Sequence, residues 1–366
     1  MMSEASRPSR SVAATGTSGT AAIPSGYSPL LDAVRIVAVL GVITVHVIAP
    51  HVSKDSPAVM LALRALLATS VPVFIMISGA LNISPRAVCH GTKQFLVRRL
   101  NRLLPATVFW TLFYVIVMKW WVSPRPLTAG LAVRDLFTAS SYAHLYFLPL
   151  IIGLTVVTPV LVAYIGDSSE RAWWTGIAAA LWTLLVMALP FISNGLSDDP
   201  IRTIDLGTFT YFIPFIGYYV LGRAVWLTPP TRRLTWGVLL VAVPVFIGFT
   251  AWTYASEWTQ EPPGQFLLPT YVSAPVMLLA IAVLASAVGL GSTWRIGDRR
   301  AAVLRRLGEA TFGVFLVHLA FLTPLQDAGF RGETVGSAVA LTGVITAVSF
   351  LISLLAQRVP FLRRVF

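Results

Sequence analysis

Residues 30–50, LLDAVRIVAVLGVITVHVIAP, decide the class of fold. The run is apolar and long enough to cross a bilayer, for which about 20 helical residues suffice. It nevertheless carries Asp32, Arg35 and His46. Ionisable side chains at membrane depth are costly, so they face a bundle interior, a partner or a wet cavity. At about 100° per residue, Arg35 and His46 fall within about 20° of each other, and Asp32 lies about 60° from Arg35 on the same side. Asp32 and Arg35 are three apart, a spacing that permits contact on one helix face. His46 stands roughly 16 Å further along that face, at 1.5 Å per residue. The stripe is either a terminal salt bridge with an interfacial histidine or a polar track through a helix bundle.

Composition settles the surroundings of this helix. Of 366 residues, 56% are hydrophobic and 11% charged, with a mean hydropathy of +0.77. Soluble domains carry about 25% charged residues. The chain is therefore expected to be an all-α, polytopic membrane bundle. Ten spans are expected, at 30–49, 59–82, 104–122, 144–165, 172–192, 208–227, 234–254, 268–290, 308–326 and 336–357, the ninth shortened by Pro324. Residues 1–26, rich in Ser, Ala, Gly and Thr, are expected to form a disordered cytoplasmic tail. Residues 27–366 form one transmembrane domain on this reading.

The net charge of +12 raises the question of nucleic acid, but the positive-inside rule accounts for it. With the N-terminus inside, the even-numbered loops hold Arg86, Lys93, Arg98, Arg99 and Arg102, then Arg171, then Arg223, Arg232 and Arg233, then Arg295, Arg299, Arg300, Arg305 and Arg306. The C-terminal tail, also inside, adds Arg358, Arg363 and Arg364. The opposite side has fewer basic residues, mixed with acids such as Asp55, Asp198, Asp199, Asp205, Glu257 and Glu261. No nucleic-acid partner is needed. The single cysteine, Cys89, permits no intramolecular disulfide.

Histidine is scarce, at five residues, so each intramembrane His matters. A neutral imidazole, with a pKa of about 6.5, is the natural general base near neutral pH. Arg35 stays charged and suits phosphate or carboxylate. In residues 95–110, FLVRRLNRLLPATVFW, Arg99 and Arg102 share a helical face and, with Arg98, suit a polyphosphate. The competing reading is an ordinary positive-inside or anionic-lipid cluster. His144, opening HLYFLPLIIGL, reads first as an interfacial belt residue. His318, within TFGVFLVHLAF, is a better candidate for lining a cavity. Arg64, in the outer half of the second span, either shares that status or snorkels outward.

Six stretches in chain order carry a resemblance: LDAVRIVAVLGVITVH, SVPVFIMISGALN, VRRLNRLLP, HLYFLP, TYFIPFIGYYVLG and ATFGVFLVHLAF. Together they resemble the acyltransferase 3 family, integral membrane enzymes that acylate sugars and other hydroxyls, often on bacterial surface polysaccharides. SVPVFIMISGALN is further similar to the enterobacterial-common-antigen-type O-acetyltransferase branch. The resemblance implies that His46 is the catalytic histidine and Arg35 its essential partner, with Asp32 beside it. Arg99 and Arg102, with Arg98, would hold an acyl-CoA donor, acetyl-CoA in the first instance, from the cytoplasmic side. His144, His318 and Arg64 remain as substrate-side groups and candidate oxyanion donors. One departure is Phe312, which stands where the family usually has Tyr. The family often carries an additional esterase-like domain that this sequence does not, so the membrane core or a partner is expected to complete the transfer.

The expected activity is transfer of an acyl group, acetyl first, from acyl-CoA to a sugar hydroxyl on a cell-surface glycan, in the plasma membrane and without a metal. A hydroxyl of a secondary metabolite is the alternative acceptor. The competing class is a transporter or flippase for a polysaccharide or lipid-linked sugar, which would use the same polar track without covalent chemistry.

Overall fold

The computed structural model describes residues 28–122, 128, 130, 133–134, 142–194, 207–260, 264–291 and 294–366. The expected tail at 1–26 lies outside them, as do Asp198, Asp199, Asp205 and Glu261. Among the described residues the secondary structure is helical, with no strand. Eleven helices follow in chain order: α1 Pro29–Ile48, α2 Ala58–Leu67, α3 Ser70–Asn82, α4 Thr92–Phe113, α5 Phe147–Ile165, α6 Ser169–Asn194, α7 Ile216–Leu227, α8 Arg232–Ala255, α9 Ala274–Gly291, α10 Asp298–Asp327 and α11 Val335–Ala356.

Counting α2 and α3 as one pass, nine helical stretches among the described residues are long and apolar enough to cross a membrane. The chain is thus an all-α polytopic bundle. Exposed apolar side chains such as Trp174, Leu181, Val339 and Leu351 give it a lipid-like outer surface.

Prolines explain two of the differences from the expected spans. The second span is broken at Ala68–Thr69 because Pro72 has no N–H, and its ring would strike the carbonyl four residues back, that of Ala68. The Thr69 hydroxyl bonds the Leu66 carbonyl at 2.6 Å instead. The sixth span is the exception to the expected ten. Residues 208–212 form turns ahead of a 3-10 turn at Ile213–Phe215 that contains Pro214, which leaves an apolar segment Ile213–Leu227 below the length of a full span. Pro324, by contrast, lies inside α10 near its end and does not shorten it; α10 runs for 30 residues. α4 begins well before the expected 104, so Arg98, Arg99 and Arg102 lie within a helix.

Glycines set the tightest crossings. α3 packs on α7, α6 on α7, and α10 on both α1 and α11. A Cβ at Gly79 or Gly222 would strike the facing backbone at Tyr219 or Met76. Small residues therefore let α3 and α7 touch backbone to backbone, as in close membrane-helix pairs. At the α1–α10 crossing, a Cβ at Gly308 would meet the Asp32 side chain 2.6 Å away.

Ion pairs stand at both ends of the bundle. At one end Arg223 bonds Asp167 at 2.6 Å, and Arg171 bonds the Tyr164 carbonyl at 2.9 Å. Arg35, Arg99, Arg102 and Arg363 border recesses at that same end. At the other, Lys54 pairs with Glu257 at 3.3 Å, and Arg331 with Glu333 at 3.8 Å.

Candidate active site

The first element of the site is a cavity of about 240 Å³ at the arginine-rich end. α1 supplies Arg35, α3 Ser78 and Asn82, and α4 Arg99 and Arg102. α5 lines it with Phe147, Ile151 and Thr155, and α10 with Gly308, Glu309, Thr311 and Phe312. Arg35 Nη1 donates to Asp32 Oδ1 at 3.1 Å, so the spacing of three does make the contact expected of it. Arg99 Nη2 donates to Asn82 Oδ1 at 2.6 Å. The Arg102 guanidinium lies 5.5 Å from the centre of the Phe312 ring. Arg99 and Arg102 therefore do share a face and a cavity. Arg98 is exposed and is not among the residues that line it. Glu309 stands among the arginines, 3.9 Å from Arg305.

The second element is a histidine cluster. The His318 ring centre is 5.2 Å from that of His46 and 5.2 Å from that of His144. His144 is 1% exposed and His318 0%. The belt reading of His144 is thus corrected: the turn ahead of α5 carries it inward, under Tyr114 and Tyr142. Tyr114 opens a π-helical turn, Tyr114–Val122, that follows α4. Such turns often mark functional positions because they re-aim a side chain. Here the Tyr114 hydroxyl donates to the Leu316 carbonyl at 2.8 Å, and the same carbonyl lies 3.3 Å from His144 Nε2.

These carbonyls fix the imidazole protons. A carbonyl only accepts, so His144 carries its proton on Nε2 and His318 on Nδ1, which sits 2.6 Å from the Phe315 carbonyl. The other nitrogens, His144 Nδ1 and His318 Nε2, are buried and lack a hydrogen-bond partner. In a neutral ring each of these nitrogens is a hydrogen-bond acceptor, suited to a substrate hydroxyl. Among the described residues no set of three or more His, Cys, Asp or Glu is arranged to hold a metal ion.

One aromatic layer separates the two elements. Phe147, at the cavity wall, packs on Phe315 at 4.9 Å and on Phe74 at 5.6 Å. Phe315 in turn covers His144 at 5.5 Å and His318 at 6.0 Å. Three chain segments connect the levels. α1 carries Arg35 and His46; α5 with its leading turn carries Thr155 and His144; α10 carries Glu309 and His318.

Arg64 belongs to neither element. It lines a separate cavity of about 380 Å³ that also touches Val45, the neighbour of His46. Its Nη1 is buried without a hydrogen-bond partner, while the residue as a whole is partly exposed. Sequence reasoning missed Asn82, Ser78, Thr155, Thr311 and Glu309. Glu309 left a signal, being the only acid in the run 301–326. The neutral residues left none, because Ser and Thr are common in membrane helices that merely pack.

A helical bundle with a cationic cavity at one end, joined by shared helices to a buried histidine cluster, defines a multi-pass membrane protein equipped for chemistry on a polar ligand. A family model described as an acyltransferase domain, that of the acyltransferase 3 family, matches residues 29–355. The chain belongs to this family, and it is a membrane O-acyltransferase. Neither the curated proteins nor the solved structures contain a match.

Proposed function

We propose that the protein transfers an acyl group, acetyl in the first instance, from acyl-CoA to a sugar hydroxyl on a cell-surface glycan, with His46 as general base. The observation that carries this reading is the pairing, on each of three chain segments, of a cavity residue with a histidine: Arg35 with His46, Thr155 with His144, and Glu309 with His318. These shared segments support a reading in which a donor held at one level reacts with bases at the other.

The phosphates of CoA sit against Arg35, Arg99 and Arg102, where guanidinium forks match oxyanions. The arginine-rich end faces the cytoplasm of a plasma-membrane protein, where the donor is made. The pantetheine arm points toward Phe147, and the roughly 16 Å from Arg35 to His46 along α1 is within an extended arm's reach. On this reading the thioester passes the Phe147–Phe315 layer to reach His46. His46 removes the proton of the acceptor hydroxyl as its oxygen attacks the thioester carbonyl. The new acyl–oxygen bond forms, the acyl–sulfur bond breaks, and the CoA thiolate takes the proton from the His46 imidazolium. The lone pairs of His144 and His318 accept from neighbouring hydroxyls of the acceptor sugar, leaving the proton of the reacting hydroxyl to His46.

The test is CoA release from acetyl-CoA by purified protein, with and without cell-envelope glycans. Slow release by the wild type that both Arg35→Ala and His46→Ala remove supports the reading. Wild-type-like transfer by His46→Ala ends it, and absence of release from folded protein with acceptors present favours a carrier over an enzyme.

A further inference from the structure

The cavity around Arg64 has properties that the donor cavity lacks. Its volume, about 380 Å³, falls in the range of about 300–1,000 Å³ filled by small organic ligands. Tyr211, Tyr254 and Tyr271 line it with flat apolar faces, and Thr250 and Thr270 add hydroxyls. Arg64 is the one charged residue among the described residues that line it. Its guanidinium lies 5.1 Å from the Tyr254 ring centre. A ring within about 6 Å attracts the cation without serving as a conventional hydrogen-bond acceptor for its N–H groups. Nη1 is fully buried with no hydrogen-bond partner, and no ion pair among the described residues includes Arg64. A buried guanidinium N–H without an acceptor is costly, and an oxyanion is the acceptor it matches best.

Position makes the cavity more than a cationic hole. Val45, on its wall, precedes His46 in α1. Tyr211 and Tyr271 pack on Tyr146 at 5.4 and 6.3 Å, two residues beyond His144. The cavity thus adjoins the histidine cluster at the end of the bundle marked by the Tyr254 bond to the Val52 carbonyl, away from the arginine-rich end.

We infer that the Arg64 cavity seats the acceptor, and that it selects a sugar bearing an oxyanion close to the hydroxyl that is acylated. The inference rests on the acyl-transfer reading only in calling the ligand an acceptor. The oxyanion is either the carboxylate of an acidic sugar or the phosphate that joins a sugar to a lipid.

The test is direct binding to protein in nanodiscs, using methyl glucuronide, glucose 1-phosphate and neutral methyl glucoside. The wild type is expected to bind at least one anionic probe about tenfold more tightly than the neutral one, the effect of one charge-assisted hydrogen-bonded pair. Arg64→Gln should erase that preference, and Arg64→Lys should keep part of it. Preference for methyl glucuronide identifies an acidic sugar, and preference for glucose 1-phosphate a lipid-phosphate-linked one. Equal binding of charged and neutral probes, a preference that survives Arg64→Gln, or no binding of either anion at millimolar concentration overturns the proposal. CoA release by the wild type, measured alongside, keeps the two readings separate. Release without anion preference removes the acceptor site and spares acyl transfer; preference without release does the reverse.

Discussion

The two cationic cavities treat arginine in opposite ways. In the larger cluster, Arg35 is shared with Asp32, Arg99 with Asn82 and Arg102 with the Phe312 face, and Glu309 stands nearby. Around Arg64 there is one guanidinium, a tyrosine face and an unpartnered donor. Several cations near a bundle end repel one another unless protein groups offset them between ligands, so that cavity is furnished with partners. A lone, half-buried cation has no neighbours to repel, and on the proposed reading its selectivity comes from the donor left unsatisfied. The lesson is that number and pairing of charges distinguish a polyanion site from a single-anion site, even where both contain arginine.

The largest effect that would break this division of labour is His46→Ala. Loss of a general base costs about 100-fold or more, so acyl transfer should fall by that much while acyl-CoA still binds. A parallel loss of acyl-CoA affinity, read by titration, would show that the histidine and arginine levels are not separate. Next come Arg99→Ala and Arg102→Ala. Each should raise KM for acyl-CoA about tenfold with kcat little changed, since a hydrogen bond to a charged group contributes about 1.5–3 kcal/mol. Steady-state kinetics at two salt concentrations would check this, because exposed charge is screened by salt. A fall in kcat alone would place these residues in the chemistry.

A smaller effect is expected of Gly308→Ala. Its Cβ would overlap Asp32, and overpacking costs about 1–3 kcal/mol. The melting temperature should drop and KM for acyl-CoA should rise as Asp32 and Arg35 are displaced. Unchanged values in thermal melts and kinetics would mean that α1 and α10 slide apart freely. Phe312→Tyr should do least. It restores a hydroxyl beside Arg102, and with about 1 kcal/mol for a neutral hydrogen bond KM should change by less than about fivefold. A larger change would mark Phe312 as a determinant of donor choice.

How much of this was legible in the sequence depended on the range of the interactions. The Asp32–Arg35 contact and the shared face of Arg99 and Arg102 were legible, because both are set by helix periodicity alone. That His46 meets His318 and His144 was not, since it depends on how α1, α5 and α10 cross. His144 looked like an interfacial residue because its aromatic neighbours are those of a membrane belt; the turn before α5 faces it inward instead. That Arg64 lines a cavity was not legible either, because nothing local says where a cavity lies. The short α7 was missed for a different reason. Hydropathy sees Phe209, Tyr211 and Phe212 ahead of an apolar run and cannot see that Pro214 withholds a backbone donor from that segment.

That short helix has a consequence for the Arg64 cavity. Ile213–Leu227 is roughly 22 Å long at 1.5 Å per residue, against about 30 Å of hydrocarbon. Its residues from Gly217 to Val225 are buried by α3, α6 and α9, so it meets protein where its neighbours meet lipid and pays no penalty for hydrophobic mismatch. Its leading end stops short, and the turn that replaces the missing helix delivers Tyr211 to the wall of the Arg64 cavity. The truncation thus gives that cavity an aromatic wall from a turn, where a full-length span would have placed further helix.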